Sequence, residues 1–487
     1  MMKTNLEQLN RSILRISKIE ITNFRNILKG SINIPIHDPD SKASITGIYG
    51  MNGSGKTSVI TALFILKKLI SSERLNSDIA RQINVDEKEA SFSFTLDILD
   101  QHLEPIGKLV YSFKIRAKEE NEKEGETETK IITEVFDETL KAACYLPDSK
   151  FRLQDVLKVT SFESQPLEPE AKAKKLLGSS VDNPIDLVFE KRLASRESRS
   201  FLFSSWLIKA LDKEQKISLD KPFEADLPKG ENELQFMREV FFRLKQYAIN
   251  ELYIATTQQN SLLGFEMLPL MVRDPHLFGT FLMDLDKPFP LPAEILEADL
   301  DILSSLNKVL KEIVPELSLS MRTLEKRLDK SGQELVVVQL ISHKNQKEIP
   351  LKFESEGIKK IISILHLLIC IYNQPSITVA VDELDSGIFE YLLGELLKIL
   401  QDYGKGQLIF TSHNLRPLET LNKSSILFST TNPLNRFIRM QNVKSNNNLR
   451  NMYYRDIFVS EQSEELYHAS NPAMVALAFR AAGKKTQ

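Results

Sequence analysis

The chain has 487 residues, 42% of them hydrophobic and 26% charged, the balance of a soluble globular protein large enough for two lobes. A formal net charge of −3 excludes a strong global attraction to nucleic acid or membranes, so any such contact has to come from a local patch. Two distant cysteines, Cys144 and Cys370, exclude a disulfide framework or a cysteine-built zinc site; both are expected to be buried small apolar residues in a reducing compartment.

The N-terminal stretch MMKTNLEQLNRSILRISK is polar and lacks the apolar core of a secretory signal. Ile13 to Ile21 alternates and predicts a strand, with Asn23-Phe24-Arg25-Asn26 as the turn after it. Ser44 to Tyr49 is a short apolar strand that runs into the glycine-rich loop Gly50-Met51-Asn52-Gly53-Ser54-Gly55-Lys56-Thr57. Thr57 to Ile70 then has helical patterning. This loop fits G-x-x-x-x-G-K-[ST] in its required strand–loop–helix context. Glycines let backbone N–H groups converge on phosphates at the positive end of a helix. Lys56 is placed to reach the outer phosphates and the Thr57 hydroxyl to ligate Mg²⁺.

Ser91–Ile98, Leu109–Ile115, Ile131–Phe136 and Leu140–Leu146 have two-residue periodicity and predict an antiparallel sheet, with the glutamate-rich Lys118–Lys130 as a solvated hairpin loop. Residues 152–318 read mainly as helices, among them Glu197–Leu211 and Glu233–Ala248, punctuated by Pro288, Pro290 and Pro292. Leu335–Ile341 and Glu348–Phe353 read as a hairpin and Glu356–Tyr372 as a helix. The apolar window Ile361–Ile371 is too short for a membrane span. Ile377–Val381 reads as a strand, Ile388–Gln401 as a helix and Gln407–Phe410 as a strand.

Three further patterns carry chemistry. Ile377 to Glu383 is an apolar strand ending in two carboxylates: Asp382 suits a metal and Glu383 suits the attacking water. His413, in QLIFTSHN, stands after the next strand, where it can touch a terminal phosphate. Ser355 and Gly357, in ESEGIKK, open a helix whose N-terminus is a second anion-binding surface.

In this order, Asn23–Asn26, Gly50–Thr57, ESEGIKK, VDELD and TSHN resemble the ABC ATPase superfamily, in particular its recombination-repair and SMC-like branch. Within that branch they resemble the stand-alone ATPases of bacterial anti-phage defence operons. The resemblance covers residues 13–70 and about 335–430. It implies an α/β ABC ATPase head, a mixed sheet with a P-loop core plus an antiparallel β subdomain, carrying a mostly helical insertion. The expected boundaries are 1–150 for the N-terminal ATPase lobe, 151–318 for the insertion and 319–487 for the C-terminal lobe.

The resemblance also implies roles. ATP and Mg²⁺ are the cofactors; Arg25, Asn52, Gly53, Ser54, Gly55, Lys56, Thr57 and Ser58 bind nucleotide, and Thr57 and Asp382 hold the metal. Glu383 and His413 serve hydrolysis. Ser355 and Gly357 cap the nucleotide of a twin subunit, and Asp385-Ser386 sit at the dimer seam. Glu356 departs from the usual signature glycine, and Gln154, Gln258 and Gln259 are the candidates for a glutamine loop. The expected assembly is a cytoplasmic homodimer or higher homo-oligomer closing on ATP, with a separate effector (a nuclease or toxin) and no membrane. The alternative is a DNA-binding repair ATPase. Its phosphate contacts would be Lys172, Lys174 and Lys175, or Lys191, Arg192, Arg196 and Arg199, or Arg436, Arg439 and Lys444.

Overall fold

A computed structural model describes the chain apart from residues 1–8, 37–42, 122–128, 148–149, 162–164, 182, 220–229, 257–266, 274–277, 294–295, 329–331, 442–447, 460–461, 468–470 and 484–487. The chain opens with the antiparallel pair β1 (Ile13–Phe24) and β2 (Ile27–Asn33), then crosses through β3 (Ser44–Tyr49) into helix α1 (Lys56–Ile70). It returns through β4 (Glu89–Leu99), β5 (Pro105–Asn121), β6 (Thr129–Cys144), β7 (Phe151–Val159) and β8 (Leu167–Glu168). These strands build a seven-stranded antiparallel sheet in the order β2-β1-β4-β5-β6-β7-β8. In β4, buried and half-buried residues alternate, as in a sheet with one face on the core. Ile131–Phe136 and Leu140–Leu146 are not two strands: β6 is continuous, with a bulge where Asp137 takes φ 50°.

The middle segment holds helices α2 (Glu170–Leu177), α3 (Pro184–Arg196), α4 (Ser205–Leu219) and α5 (Glu231–Asn250), then β9 (Leu252–Ala255), β10 (Met267–Arg273), β11 (Phe278–Asp284), β12 (Phe289–Pro292) and α6 (Leu296–Ile313). The helix expected from Glu197 begins only at Ser205. Before it, Ser198 has φ 55°, and Ser200 and the Phe201 amide are bound to the buried carboxylate of Glu138. The segment also contributes beyond its helices. Strand β9 pairs in parallel with Thr378–Val381, and the proline-punctuated β12 pairs with Leu335–Val338.

The last third contains β13 (Ser318–Leu328), β14 (Glu334–Lys344), β15 (Lys347–Pro350), α7 (Glu356–Asn373), β16 (Thr378–Val381), α8 (Glu390–Tyr403), β17 (Gln407–Thr411), β18 (Ile426–Ser429), β19 (Phe437–Ile438), α9 (Leu449–Val459) and α10 (Pro472–Ala482). The core sheet runs β19-β18-β3-β17-β16-β9, parallel except for β19. Its strands β3, β16, β17 and β18 are buried along their whole length, which is why they read as unbroken apolar runs. Strands from both ends of the sequence thus interleave in one sheet, and their C-terminal ends bring the phosphate loop, the two acids and His413 together. The apolar run Ile361–Ile371 lies within α7, largely buried. No helix among the described residues is long and apolar enough to cross a membrane. Cys144 and Cys370 are both buried thiols.

Candidate functional site

The phosphate loop needs its glycines. Gly50, Gly53 and Gly55 have φ 149°, 73° and 94°, and a Cβ on Gly50 would stand 2.0 Å from Ser429 Oγ. Ser429 also donates to the Tyr49 carbonyl at 3.0 Å and lies 2.5 Å from Ser54 Oγ, so the end of β18 braces the loop. Helix α1 starts after Gly55 with no described side chain capping its first turn, leaving those N–H groups for an anion. Asn52 and Gly53 are exposed at the apex, while Ser54, Gly55 and Ser58 are buried.

Lys56 is 6% exposed and its ammonium donates to the Gly50 and Met51 carbonyls, each at 2.9 Å. Burial pulls its pKa down to about 8, against the opposing pull of Asp382, Glu383 and Asp385. A cation stripped of water and ringed by loop carbonyls is primed to exchange them for phosphate oxygens.

Thr57 Oγ1 donates to Asp382 Oδ1 at 3.2 Å, joining residues 325 positions apart. Hydroxyl and carboxylate oxygens at this separation suit a small hard cation, which takes few protein ligands and completes its shell with phosphate and water. Among the described residues no group of three or more His, Cys, Asp or Glu could by itself hold a metal ion. Thr411 donates to the same Asp382 oxygen at 2.6 Å and accepts from the Glu383 amide at 2.8 Å. Glu383 has φ 50°, a left-handed turn that carries its half-buried side chain off the strand tip.

His413 is exposed, and its backbone amide and that of Asn414 both donate to Asp385 Oδ2, at 3.1 and 3.0 Å. Burial and the Lys56 charge lower the His413 pKa, while Asp385, Glu383 and Asp382 pull it upward, so the ring is neutral at pH 7. Arg25 at φ 52° donates to Gln82 Oε1 at 2.8 and 3.1 Å, and its guanidinium lies over the Phe24 ring. It is within the field of Asp382, which counters the lowering of its pKa by burial.

Ser355 caps α7, its hydroxyl accepting from the Ile358 amide at 3.4 Å, and is exposed at the helix tip. A Cβ on Gly357 would stand 2.5 Å from the Gly387 carbonyl, so this helix start lies directly on the turn after Asp385-Ser386. Glu356 points into solvent and pairs with Lys359 at 2.6 Å; Lys359 also reaches Asp286 at 3.1 Å.

Several participants escape sequence reasoning. Thr411 stands in TSHN and Lys360 ends ESEGIKK, yet neither motif assigns them a contact with the paired acids; Ser429 and Gln82 belong to no recognised motif, and Asn26, which donates to the Gly53 carbonyl, reads as a turn residue. The glutamine-loop candidates gain no support. Gln154 is engaged by Glu233 and Lys172, while Gln258 and Gln259 lie outside the described residues.

The basic clusters separate by environment. Arg436 is buried and donates to the Thr430 carbonyl at 2.7 Å and to the Asn26 carbonyl. Arg439 donates to the carbonyls of Ile426 at 3.0 Å and Asn33 at 2.9 Å. These two are structural clamps, and Lys444 lies outside the described residues. Lys172 is bound to Gln154, and Lys174 pairs with Glu170 at 2.8 Å. Lys191, Arg192, Arg196 and Arg199 line a cavity of about 690 Å³ with Arg116 and Lys118, together with the acids Glu119, Glu134, Asp137 and Glu138; Arg116 and Lys118 both pair with Glu134.

A mostly parallel core sheet with a phosphate loop on one strand, paired acids on the second and a histidine on the third has the arrangement of a P-loop ATPase. The chain belongs to the AAA ATPase domain family, whose model matches residues 14–416. No curated protein matches significantly. Among solved structures the chain is similar to the SMC head domain of Pyrococcus furiosus bound to the C-terminal domain of ScpA, at 12% identity and TM-score 0.38, covering 88% of this chain and 96% of that one. It is also similar to the Thermotoga maritima SMC head domain, at 12% identity and TM-score 0.34, covering 88% and 99%. A third similarity is to the recombination mediator RecF with ATP, at 13% identity and TM-score 0.34, covering 82% and 94%.

Proposed function

We propose that this ATPase works as a pair of heads closing on ATP and Mg²⁺, and acts in bacterial anti-phage defence as sensor or scaffold for a separate nuclease or toxin. The observation behind the ATP cycle is the Thr57–Asp382–Thr411–Glu383 chain of contacts beside Lys56. In this reading the phosphate loop grips the triphosphate and Thr57 and Asp382 hold the metal, which supplies charge neutralisation at the phosphates. Glu383 orients and deprotonates water. His413, neutral, donates to the terminal phosphate and registers its departure, and Arg25 adds positive charge nearby.

The pairing rests on Ser355. Its exposed helix tip, the positive end of α7, faces outward where a second molecule's nucleotide could meet it. Closure then converts nucleotide binding energy into a shape change that a bound effector can read. The defence role rests on the motif resemblance alone. Sizing chromatography of Glu383→Gln with ATP tests the pairing: a stable dimer is expected, and elution as monomer rejects it. Mass spectrometry of proteins co-purified from the native host tests the effector. Recovery of the chain with no nuclease or toxin at comparable abundance rejects that part.

The second reading, a DNA-binding repair ATPase, draws on the cavity between β5, β6 and α3, where six basic side chains outnumber the four carboxylates Glu119, Glu134, Asp137 and Glu138. DNA binding that weakens with salt and is lost in the Arg192→Glu/Arg196→Glu double variant would favour it over the first reading.

A further inference from the structure

We propose that Lys360 is a positioning residue for hydrolysis: its ammonium holds the left-handed peptide that aims the Glu383 carboxylate. The proposal rests on the reading of Glu383 as the residue that activates water.

A glutamate at φ 50° persists only if its surroundings fix it. Both ends of this residue are held. On the amide side, the N–H donates to Thr411 Oγ1 at 2.8 Å. On the carbonyl side, the oxygen accepts from Lys360 Nζ at 2.6 Å and from the Ser386 amide at 3.0 Å. The lysine bond is the charge-assisted one, and the stronger for being dry: Lys360 is only 5% exposed. Burial lowers the Lys360 pKa to about 8, while Asp385, Glu383 and Asp382 support the charged form, so the ammonium is retained at neutral pH.

Lys360 reaches this carbonyl because α7 starts against the same turn, with Gly357 laid on the Gly387 carbonyl. Its neighbour Lys359 is spent on Glu356 and Asp286. The helix that exposes Ser355 at its tip therefore grips, five residues later, the catalytic turn of its own chain. A neutral side chain at 360 would leave the Glu383 carbonyl with the Ser386 amide alone and remove the positive charge from among three carboxylates.

A double-mutant cycle in ATP turnover tests this. Lys360→Met is expected to lower kcat at least tenfold, about 1.4 kcal/mol in the barrier, with KM within about twofold. Lys360→Arg, which keeps the charge, should recover part of the loss, and circular dichroism of both variants should match wild type. In the Glu383→Gln background, Lys360→Met should lower the residual rate less than about twofold, because the group it positions has gone. An unchanged kcat in Lys360→Met, or an equal fold-loss in both backgrounds, overturns the proposal. Should Lys360→Met not fold, the Lys360→Arg variant carries the same cycle. Wild-type turnover by Glu383→Gln alone would overturn the Glu383 reading, and this proposal with it.

Discussion

Thr411→Val isolates one hydroxyl at the centre of the site. The two side chains have nearly the same shape, and Thr411 is 1% exposed, so the change removes hydrogen bonding without opening a cavity. Two bonds go: the 2.6 Å donation to Asp382 Oδ1 and the 2.8 Å acceptance from the Glu383 amide. A bond to a charged group contributes about 1.5–3 kcal/mol, and an orphaned buried amide costs about 1–3 kcal/mol. A loss of about 3 kcal/mol in folding stability is expected, measured as a fall in the urea midpoint. For catalysis the first term matters most, because it orients the carboxylate shared with Thr57. If half to all of it is expressed in the transition state, turnover falls between about fourfold and about 160-fold. Thr411→Ser keeps the hydroxyl and should retain most of the activity. Wild-type turnover in Thr411→Val, with serine no better than valine, would refute the role of this hydroxyl in holding the two acids.

Lys56→Ala should abolish ATP binding in calorimetry, and unchanged affinity would reject the phosphate-loop assignment. Ser355→Arg should leave nucleotide binding to the monomer intact yet block ATP-dependent pairing; co-elution with a wild-type dimer would refute capping in trans. His366, 7% exposed inside α7, has its pKa lowered by burial to about 4 from 6.5. Its contribution is complete above pH 6.5, where both states are neutral, and is lost as pH falls toward 4, because the unfolded chain takes up the proton first. Across that window wild type should lose about 3 kcal/mol of stability relative to His366→Leu, and parallel pH profiles would contradict the assignment.

Where function rests on local sequence, the residues announce it. The phosphate loop is a nearly contiguous backbone device, and β3, β16 and β17 are short fully buried strands whose apolar runs end in the reacting groups. What stays hidden depends on pairing across the chain. Strand β6 looks like two because Asp137 interrupts the alternation, yet a bulge absorbs the interruption without ending the strand. Strand β9, four residues directly after a long helix, is a strand only because β16 offers an edge. Strand β13 is mostly exposed and rich in charged residues, so it lacks the alternation that marks a half-buried strand.

Thr411 is the instructive case among the site residues. Parallel pairing sets Val381 opposite Phe410, which brings the next residue of each strand, Asp382 and Thr411, level at the sheet's end. The hydroxyl's partner was therefore implicit in the two motifs once their strands were taken as neighbours. Lys360 offers no such clue. Its reach to Glu383 depends on how closely Gly357 lets α7 approach the Gly387 carbonyl, and a lysine near a helix start reads as a solvated side chain until that contact excludes the water. A side chain at 357 would push the helix outward from the turn, so Gly357 fixes the Glu383 turn of its own chain as directly as it fixes the helix tip that carries Ser355.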